Sequence, residues 1–290
     1  NNPSHADLRL FWARLRAGGE PYACNHSFYG YYDRYWKKSP ARPELFVQAR
    51  PEWFARGYQG RPPQMCFSNE GFTAQVVRDA RDYFDGRGAL PGAQARGDFF
   101  ALVPMDNNSW CKCPACQARI HQDEKDHPHF TRGAASDYVF GFANAVARQV
   151  GKTHPGKYLS TIAYHDYAYY PRATKLEPNI SVMMCLHTRN WWAPSMEAND
   201  MKVYRAWVTN AKGRPLYIWA YYCFPEFWTQ RKAFRCFPGF FAHPAARQIK
   251  MFARDGIRGI STGGGLGEQV DTYVSFKLFD DPSLDVDALL

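Results

Sequence analysis

Short apolar runs alternate with amphipathic segments along most of the chain, and this alternation is the strongest constraint on its fold. Strands that are separated by helical segments predict a parallel sheet with helical crossovers. We predict seven strands, at residues 21–28, 63–69, 99–105, 158–164, 180–186, 215–222 and 257–263. We predict six helices, at residues 4–17, 70–84, 134–150, 197–211, 243–255 and 270–279. In the third helix we expect Ser136 or Asp137 to be the N-cap.

Seven strands in 290 residues favour an α/β fold of the TIM (β/α)₈ barrel type, incomplete or preceded by a missing N-terminal part. We expect residues 1–290 to form one such domain. A doubly wound open sheet is the alternative, but no G-x-G-x-x-G motif follows an early strand, and GGGLG at 263–267 is interpreted as a loop. No apolar run reaches 18 residues, so we expect no membrane span.

Aromatic residues make up 17% of the chain and cluster at 28–36, 164–170, 191–192 and 219–228. Sugar rings stack on such side chains, while the polar tips of Tyr and Trp bind hydroxyl groups. The formal charge is +9, but the Lys and Arg residues are scattered and no nucleic-acid-binding signature is present. We therefore expect an oligo- or polysaccharide partner, with an anionic glycan favoured, and no nucleic acid.

Polar groups follow the predicted strands, where a barrel carries its chemistry. Glycoside hydrolysis needs two carboxyl groups, one as proton donor and one as base or nucleophile. We predict Asp106 as one of them and Glu70, Glu226 or Glu268 as the other. The competing interpretations are a turn cap for Asp106 and a favourable helix-start charge for Glu70.

Further side chains at the predicted strand ends are candidates for substrate binding. Histidine and amide groups would bind hydroxyls, aromatic rings would stack on sugars, and Arg189 would pair with the carboxylate of a uronic acid. The predicted substrate-binding residues are His26, Asn69, Asn107, Trp110, Tyr164, His165, Asp166, Arg189, Trp191, Trp219 and Tyr221.

Three cysteines follow one another closely in MDNNSWCKCPAC at 105–116. A C-P-x-C turn directs two thiolates at one point, so Cys113 and Cys116, with Cys111 as a third ligand, predict a structural zinc knuckle. We expect the fourth ligand among three histidines: His121, His127 and His129. A disulfide, if the protein is secreted, or free structural cysteines compete with zinc, and a catalytic thiol is a further alternative.

The remaining cysteines of the predicted strands lie among apolar residues and are expected to behave as small hydrophobic side chains. These are Cys24, Cys66, Cys185 and Cys223.

Several motifs together resemble one bacterial family. They are FWARLRAGG, M-C-F-S-N-E, D-N-N-x-W-C-x-C-P-x-C, AYHDYAYYPRATKLEPNISV, YIWAYY and KLFDDPSLDVDALL, which cover the chain from about residue 10 to its end. The family is a glycosidase-like domain of unknown function near the α-glucuronidases and β-N-acetylhexosaminidases. The resemblance implies a TIM barrel behind a β-rich domain, in an extracellular or periplasmic protein.

The chain departs from that pattern where acids are expected. Asn107 stands beside Asp106, where related hexosaminidases have a second acid. Ala220 replaces an acid of the W-x-Y stretch, and Ser261 stands where a glutamate is expected, with Glu268 a few residues later. These departures keep open a carbohydrate-binding barrel without turnover. A polysaccharide lyase with His or Tyr as base and a zinc hydrolase are also compatible with the sequence.

Overall fold

The computed structural model describes residues 10, 13–14, 18–124, 128–222, 241–262 and 269–290 as an α/β fold. Six strands are present there: β1 Ala95–Arg96, β2 Phe99–Ala101, β3 Tyr158–Ala163, β4 Ile180–Leu186, β5 Leu216–Ala220 and β6 Gly259–Ser261. The same ranges contain eight α-helices: α1 Tyr29–Tyr35, α2 Glu70–Asp82, α3 Pro114–Gln117, α4 Ser136–Gly151, α5 Pro194–Thr209, α6 Ala242–Arg254, α7 Gln269–Asp280 and α8 Val286–Leu289.

The prediction of a TIM barrel is wrong. The described strands form a mixed six-stranded sheet in the order β1-β2-β3-β4-β5-β6, instead of a closed ring of eight parallel strands. β1 and β2 are antiparallel, with Ala95 opposite Phe100, because Gly97 turns the chain directly between them in the left-handed region. β2 runs parallel to β3, and β5 runs parallel to β6.

Two predicted strands, 21–28 and 63–69, are also wrong. Each is reduced to one isolated bridge, a parallel pair of His26 with Val103 and an antiparallel pair of Phe54 with Met65. In the first segment the backbone keeps one pairing bond, from Ser27 N to Val103 O at 3.0 Å, and the Ser27 hydroxyl adds two bonds, donating to Ala101 O at 2.8 Å and accepting from Val103 N at 3.0 Å. The second segment begins with proline, which has no N–H to donate.

The helix predictions are confirmed at five of six positions, because 70–84, 134–150, 197–211, 243–255 and 270–279 coincide with α2, α4, α5, α6 and α7. Most of the predicted helix 4–17 lies outside the described residues. The cap prediction for α4 is wrong, since Ala135 precedes the helix and no side chain caps it. Asp137 instead accepts the backbone N–H groups of the 172–174 segment and a hydrogen bond from His121 at 2.7 Å.

The chain divides into two compact units. Unit 1 contains Asn1–Glu20, Met184–Tyr204 and Leu216–Leu290, and unit 2 contains Pro21–Met183 and Arg205–Pro215. Within unit 1, the apolar side chains of α6 and α7 are buried, among them Phe252 and Leu278. That all 290 residues form one domain stays a prediction.

An aromatic cluster forms part of the core of unit 2. The rings of Phe67 and Phe142 stack at 4.5 Å, and Phe72 stacks on Phe142 at 5.4 Å. Phe28 meets the same three rings edge-on at 5.5–5.8 Å. These edge-to-face and stacked pairs account for part of the high aromatic content without any ligand.

A helix that crosses a bilayer must be both long and apolar. Within the described ranges, no helix combines the length and the apolar composition that a crossing requires.

Candidate functional site

Asp106 lies beyond the carboxyl end of β2, with its side chain 57% exposed. The Tyr164 hydroxyl donates to Asp106 Oδ1 at 3.1 Å, and His26 Nε2 lies 3.6 Å from the same oxygen. His26, Asp106 and Tyr164 therefore form one cluster in unit 2, which we call the Asp106 cluster. Sequence reasoning predicted all three residues, and the structure brings them together.

The parallel arrangement of three chain segments explains this meeting point. His26 bridges Val103 in a parallel sense, and β2 is parallel to β3, whose end leads directly into Tyr164. Carboxyl ends of parallel segments meet at one edge of a sheet, which is where ligand sites of α/β proteins form. The position of the cluster thus follows from topology even though the barrel does not close.

The hydrogen bond on the far side of the His26 ring fixes its orientation. Nδ1 contacts the Pro104 carbonyl oxygen, which is only an acceptor, so Nδ1 carries the hydrogen. Nε2 is consequently the nitrogen that faces Asp106. An imidazole, a phenol and an exposed carboxylate in one cluster are groups that can transfer protons to or from a bound substrate.

The next turn along the chain orients Tyr164 and His165. Asp166 is buried and accepts hydrogen bonds from Arg132 Nε and, at 3.1 Å, from Trp110 Nε1. His165 adopts a left-handed backbone conformation with φ 48°, and its ring packs edge-on against exposed Phe130 at 4.3 Å. The hydrogen bonds of Asp166 to Trp110 and Arg132 thus hold this turn in place, whereas the His165 side chain is partly accessible.

Gln64 is the residue of this region that sequence reasoning missed. Its fully buried amide donates to Met105 O at 2.7 Å and Asn107 O at 2.8 Å, and it accepts from Met105 N at 3.2 Å. The Asn107 side chain closes the same turn by donating to Pro63 O and accepting from Ser109 N. We call residues 105–107 the Asp106 turn. No local sequence signal identifies Gln64, because its partners are about 40 residues away along the chain.

Of the other predicted carboxylates, the structure describes only Glu70, which is not part of this cluster. Asn69 caps α2 by accepting from Phe72 N at 2.9 Å, and Glu70 is the exposed first residue of that helix. Glu226 and Glu268 lie outside the described residues.

Four predicted binding residues belong to unit 1. Arg189 donates to Tyr222 O at 3.0 Å, and Trp191 Nε1 donates to Asp200 at 2.9 Å. The Tyr221 ring stacks on His187 at 5.1 Å, and the indole ring of Trp219 lies 6.3 Å from Tyr221. The structure brings Trp219 and Tyr221 together, and both rings are partly accessible.

Four cysteines converge in unit 2: Cys66, Cys111, Cys113 and Cys116. All four sulfur atoms lie within 4.8 Å of one another, and Cys66 Sγ is 3.7 Å from Cys116 Sγ and 3.9 Å from Cys113 Sγ. A tetrahedral zinc site with Zn–S bonds of about 2.3 Å has sulfur–sulfur edges of about 3.8 Å. These four residues, the cysteine cluster, therefore have the spacing to hold one metal ion.

Hydrogen bonds within the cysteine cluster shift the pKa values of its thiols in opposite directions, lowering that of Cys116 and raising those of Cys66 and Cys111. Hydrogen bonds from Cys111 and Cys66 hold the pKa of the Cys116 thiol well below its ordinary value, aided by Ser68 and Tyr138. The Tyr138 hydroxyl donates to Cys116 Sγ at 3.2 Å. The hydrogen bond with Cys116 raises the pKa of the Cys111 thiol to about 11. Hydrogen bonds of this kind around a sulfur set also orient metal ligands.

The sequence predicted three of the four cysteines and misassigned the fourth ligand. Cys66, expected to be an inert apolar side chain, completes the set. His121 is bonded to Asp137, His127 lies outside the described residues, and His129 does not belong to the set. These four cysteines are all free thiols, so the alternative of a disulfide is wrong for them.

The fold and these two clusters define an α/β protein with a polar strand-end site and a group of four cysteines able to bind a metal. The chain belongs to the family described as Domain of unknown function (DUF4838), whose model matches residues 12–290. No curated protein and no solved structure matches the chain.

Proposed function

We propose that the protein is a glycoside hydrolase that acts on an acidic or N-acetylated polysaccharide of bacterial, plant or algal origin. The observation that carries the proposal is the Asp106 cluster, an exposed carboxylate flanked by Tyr164 and His26 at the carboxyl end of parallel strands. The high aromatic content and the net charge of +9 agree with an anionic glycan as substrate. Export to the periplasm or the cell exterior is part of the same proposal.

Asp106 is assigned the role of base or nucleophile. Its carboxylate is accessible to a substrate, and the Tyr164 hydroxyl donates a hydrogen bond to it. The second carboxyl group, the proton donor, is one of Glu70, Glu226 and Glu268. A separation of about 5 Å between the two groups would give retention of configuration, and about 6.5–9.5 Å would give inversion.

A polysaccharide lyase is the second candidate, and the contact between Tyr164 and Asp106 favours it specifically. A tyrosine or histidine base removes the proton beside a uronate carboxylate, and elimination then leaves an unsaturated product. Tyr164 and His26 both lie beside Asp106, so one of them would take this proton while the other gives a proton to the departing glycosidic oxygen as its bond to the sugar ring breaks.

Mass spectrometry of oligosaccharide digests separates the candidates. The full chain is incubated with oligomers of uronic acids and of N-acetylhexosamines, beside the variants Asp106→Asn and Asp98→Asn. Asp98 is the matched control, because it is 59% exposed and lies at the amino end of β2 instead of its carboxyl end. We expect products that each gain one water, lost in Asp106→Asn and retained in Asp98→Asn.

Other product patterns would contradict the hydrolase. Products of unchanged summed mass with near-ultraviolet absorption would establish elimination and therefore a lyase. Binding without cleavage, equal in wild type and Asp106→Asn, would leave a carbohydrate-binding protein without turnover.

We propose in addition that the cysteine cluster binds one structural zinc ion. Four sulfur ligands close the coordination shell and leave no position for a water, so this ion would stabilise the fold and not perform hydrolysis. The sulfur spacing supports zinc, because the edges of 3.7 and 3.9 Å match a ZnS₄ tetrahedron.

Native mass spectrometry of the full chain, purified in the presence of zinc, tests this assignment. We expect one zinc per chain, lost in Cys116→Ser and retained in Cys24→Ser. Cys24 is the matched control, since burial raises the pKa of its thiol to about 12 and it lies outside the cluster. Zinc-free wild type, or equal zinc content in both variants, would overturn the assignment.

A further inference from the structure

The cysteine cluster and the Asp106 turn are built from the same two stretches of chain. Gln64 bonds the backbone of Met105 and Asn107, and two residues later Cys66 joins the sulfurs of the 111–116 segment. The two stretches are therefore joined at two points, one on each side of residues 108–110. The Asp106 turn lies directly next to one of these connections.

Residues 102–113 contain no helix or ladder strand that would hold the Asp106 turn by itself. Their conformation depends on bonds to other segments. Arg56 N donates to Cys111 Sγ at 3.3 Å, Lys112 N donates to Arg56 O at 3.0 Å, and the Tyr58 hydroxyl donates to Trp110 O at 2.8 Å. Several of these bonds end at the cluster or at its immediate neighbours, so the position of the sulfurs affects the whole stretch.

We propose that metal binding at the cysteine cluster, acting together with Gln64, fixes the Asp106 turn and thereby sets the position of Asp106 against His26 and Tyr164. This inference rests on the proposed zinc site, and only its consequence for catalysis rests on the proposed hydrolase. Gln64 is in this scheme a positioning residue, since it contacts the turn and not a substrate.

The physical reason is the cost of holding four sulfurs together. A bound cation compensates the thiolate charge and closes the loop between Cys66 and the 111–116 segment. Without it, Cys66 is joined to Cys113 and Cys116 by weak sulfur–sulfur contacts at 3.9 and 3.7 Å, which hold the two stretches together less firmly than four metal–sulfur bonds. Segments held by few bonds open locally at low free energy, so the loss should appear first in the Asp106 turn.

Hydrogen exchange of the full chain, followed by mass spectrometry, tests the coupling without requiring any activity. Zinc-loaded protein is compared with protein stripped by a chelator and with Cys66→Ser, with Cys24→Ser as matched control. We expect amides 105–112 to exchange roughly tenfold faster or more after metal loss, as for the loss of about one hydrogen bond. The β4 strand and the Cys24→Ser protein should keep their protection.

A second variant keeps the metal and removes the hydrogen bonds from the Gln64 side chain to the Asp106 turn. Gln64→Leu should retain one zinc per chain by native mass spectrometry while the amides of the Asp106 turn lose protection. If amides 105–112 exchange equally in loaded and stripped protein, or if no zinc binds, the coupling is overturned. Failure of the hydrolase proposal would appear separately, as absent cleavage with the exchange difference intact.

Discussion

The buried ion pair between Arg34 and Asp79 permits a sharp stability prediction. Asp79 on α2 accepts two hydrogen bonds from the Arg34 guanidinium, at 2.6 and 3.1 Å, and one from the Tyr31 hydroxyl at 2.6 Å. The Arg34 and Asp79 side chains are only 9% and 3% exposed. The pair joins α2 to α1, whose first residue, Tyr29, accepts a hydrogen bond from Asp106 N at 3.4 Å.

The variant Asp79→Asn keeps the shape of the side chain and removes its charge. The Arg34 cation then remains buried without a counter-charge, which costs about 3–5 kcal/mol of unfolding free energy. The matched control is Asp33→Asn, since Asp33 pairs with an Arg42 side chain that is 57% exposed. Asp33 itself is 21% exposed, and an ion pair that solvent reaches in this way contributes about 0–1 kcal/mol, so the control should differ little from wild type.

Urea denaturation at pH 7, followed by tryptophan fluorescence, measures both variants. The double variant Arg34→Met/Asp79→Leu separates lost attraction from stranded charge, because it removes both ions. We expect the double variant to be more stable than Asp79→Asn. Equal losses in Asp79→Asn and Asp33→Asn, or a double variant less stable than the single one, would refute the reasoning.

Three further predictions concern metal binding, pH and packing. Cys66→Ser should weaken zinc binding about 10²–10³-fold in chelator competition, because one of four ligands contributes roughly a quarter of a zinc-binding free energy of about 10–16 kcal/mol. Unchanged zinc affinity would exclude Cys66 as a ligand. Burial acts to raise the pKa of Asp137, but the hydrogen bond from His121 and backbone N–H groups outweigh it and lower this pKa from its ordinary value. The stability that this carboxylate contributes is complete above its unfolded-state pKa and is lost as pH falls through its folded-state pKa. Asp137→Asn should therefore lose less unfolding free energy on acidification than wild type does, and an equal loss in both proteins would contradict this. Gly30→Ala would bring its Cβ within 2.1 Å of Pro91 O and should cost about 1–3 kcal/mol, whereas Gly18→Ala meets nothing within 4 Å and should be neutral in the same unfolding assay.

The Asp106 cluster shows what can be predicted from the rule that functional polar residues follow the carboxyl ends of strands. Asp106, His26 and Tyr164 were predicted because polar residues follow apolar runs, and this rule holds for any parallel strands, closed into a barrel or not. The same rule also selected Asn69 and Trp110, which the structure places at a helix cap and in the core. Position after a strand does not reveal which way a side chain points.

The sequence by itself determined the features that depend on neighbouring residues. Apolar periodicity located helices such as α4, and the close spacing of Cys111, Cys113 and Cys116 indicated a metal-binding turn. These features are local, because a helix face or a C-P-x-C turn is set by residues within one or two turns of chain.

Only the tertiary structure decided the features that depend on distant contacts. Cys66 became the fourth sulfur although it is 47 residues from Cys113, and Gln64 became the support of the Asp106 turn. The sheet remained mixed and open in the described residues, because the segments 21–28 and 63–69, where apolar content alone predicted strands, each pair through one isolated bridge. Which groups meet across such separations is fixed by packing and pairing of the whole chain, and no local pattern encodes it.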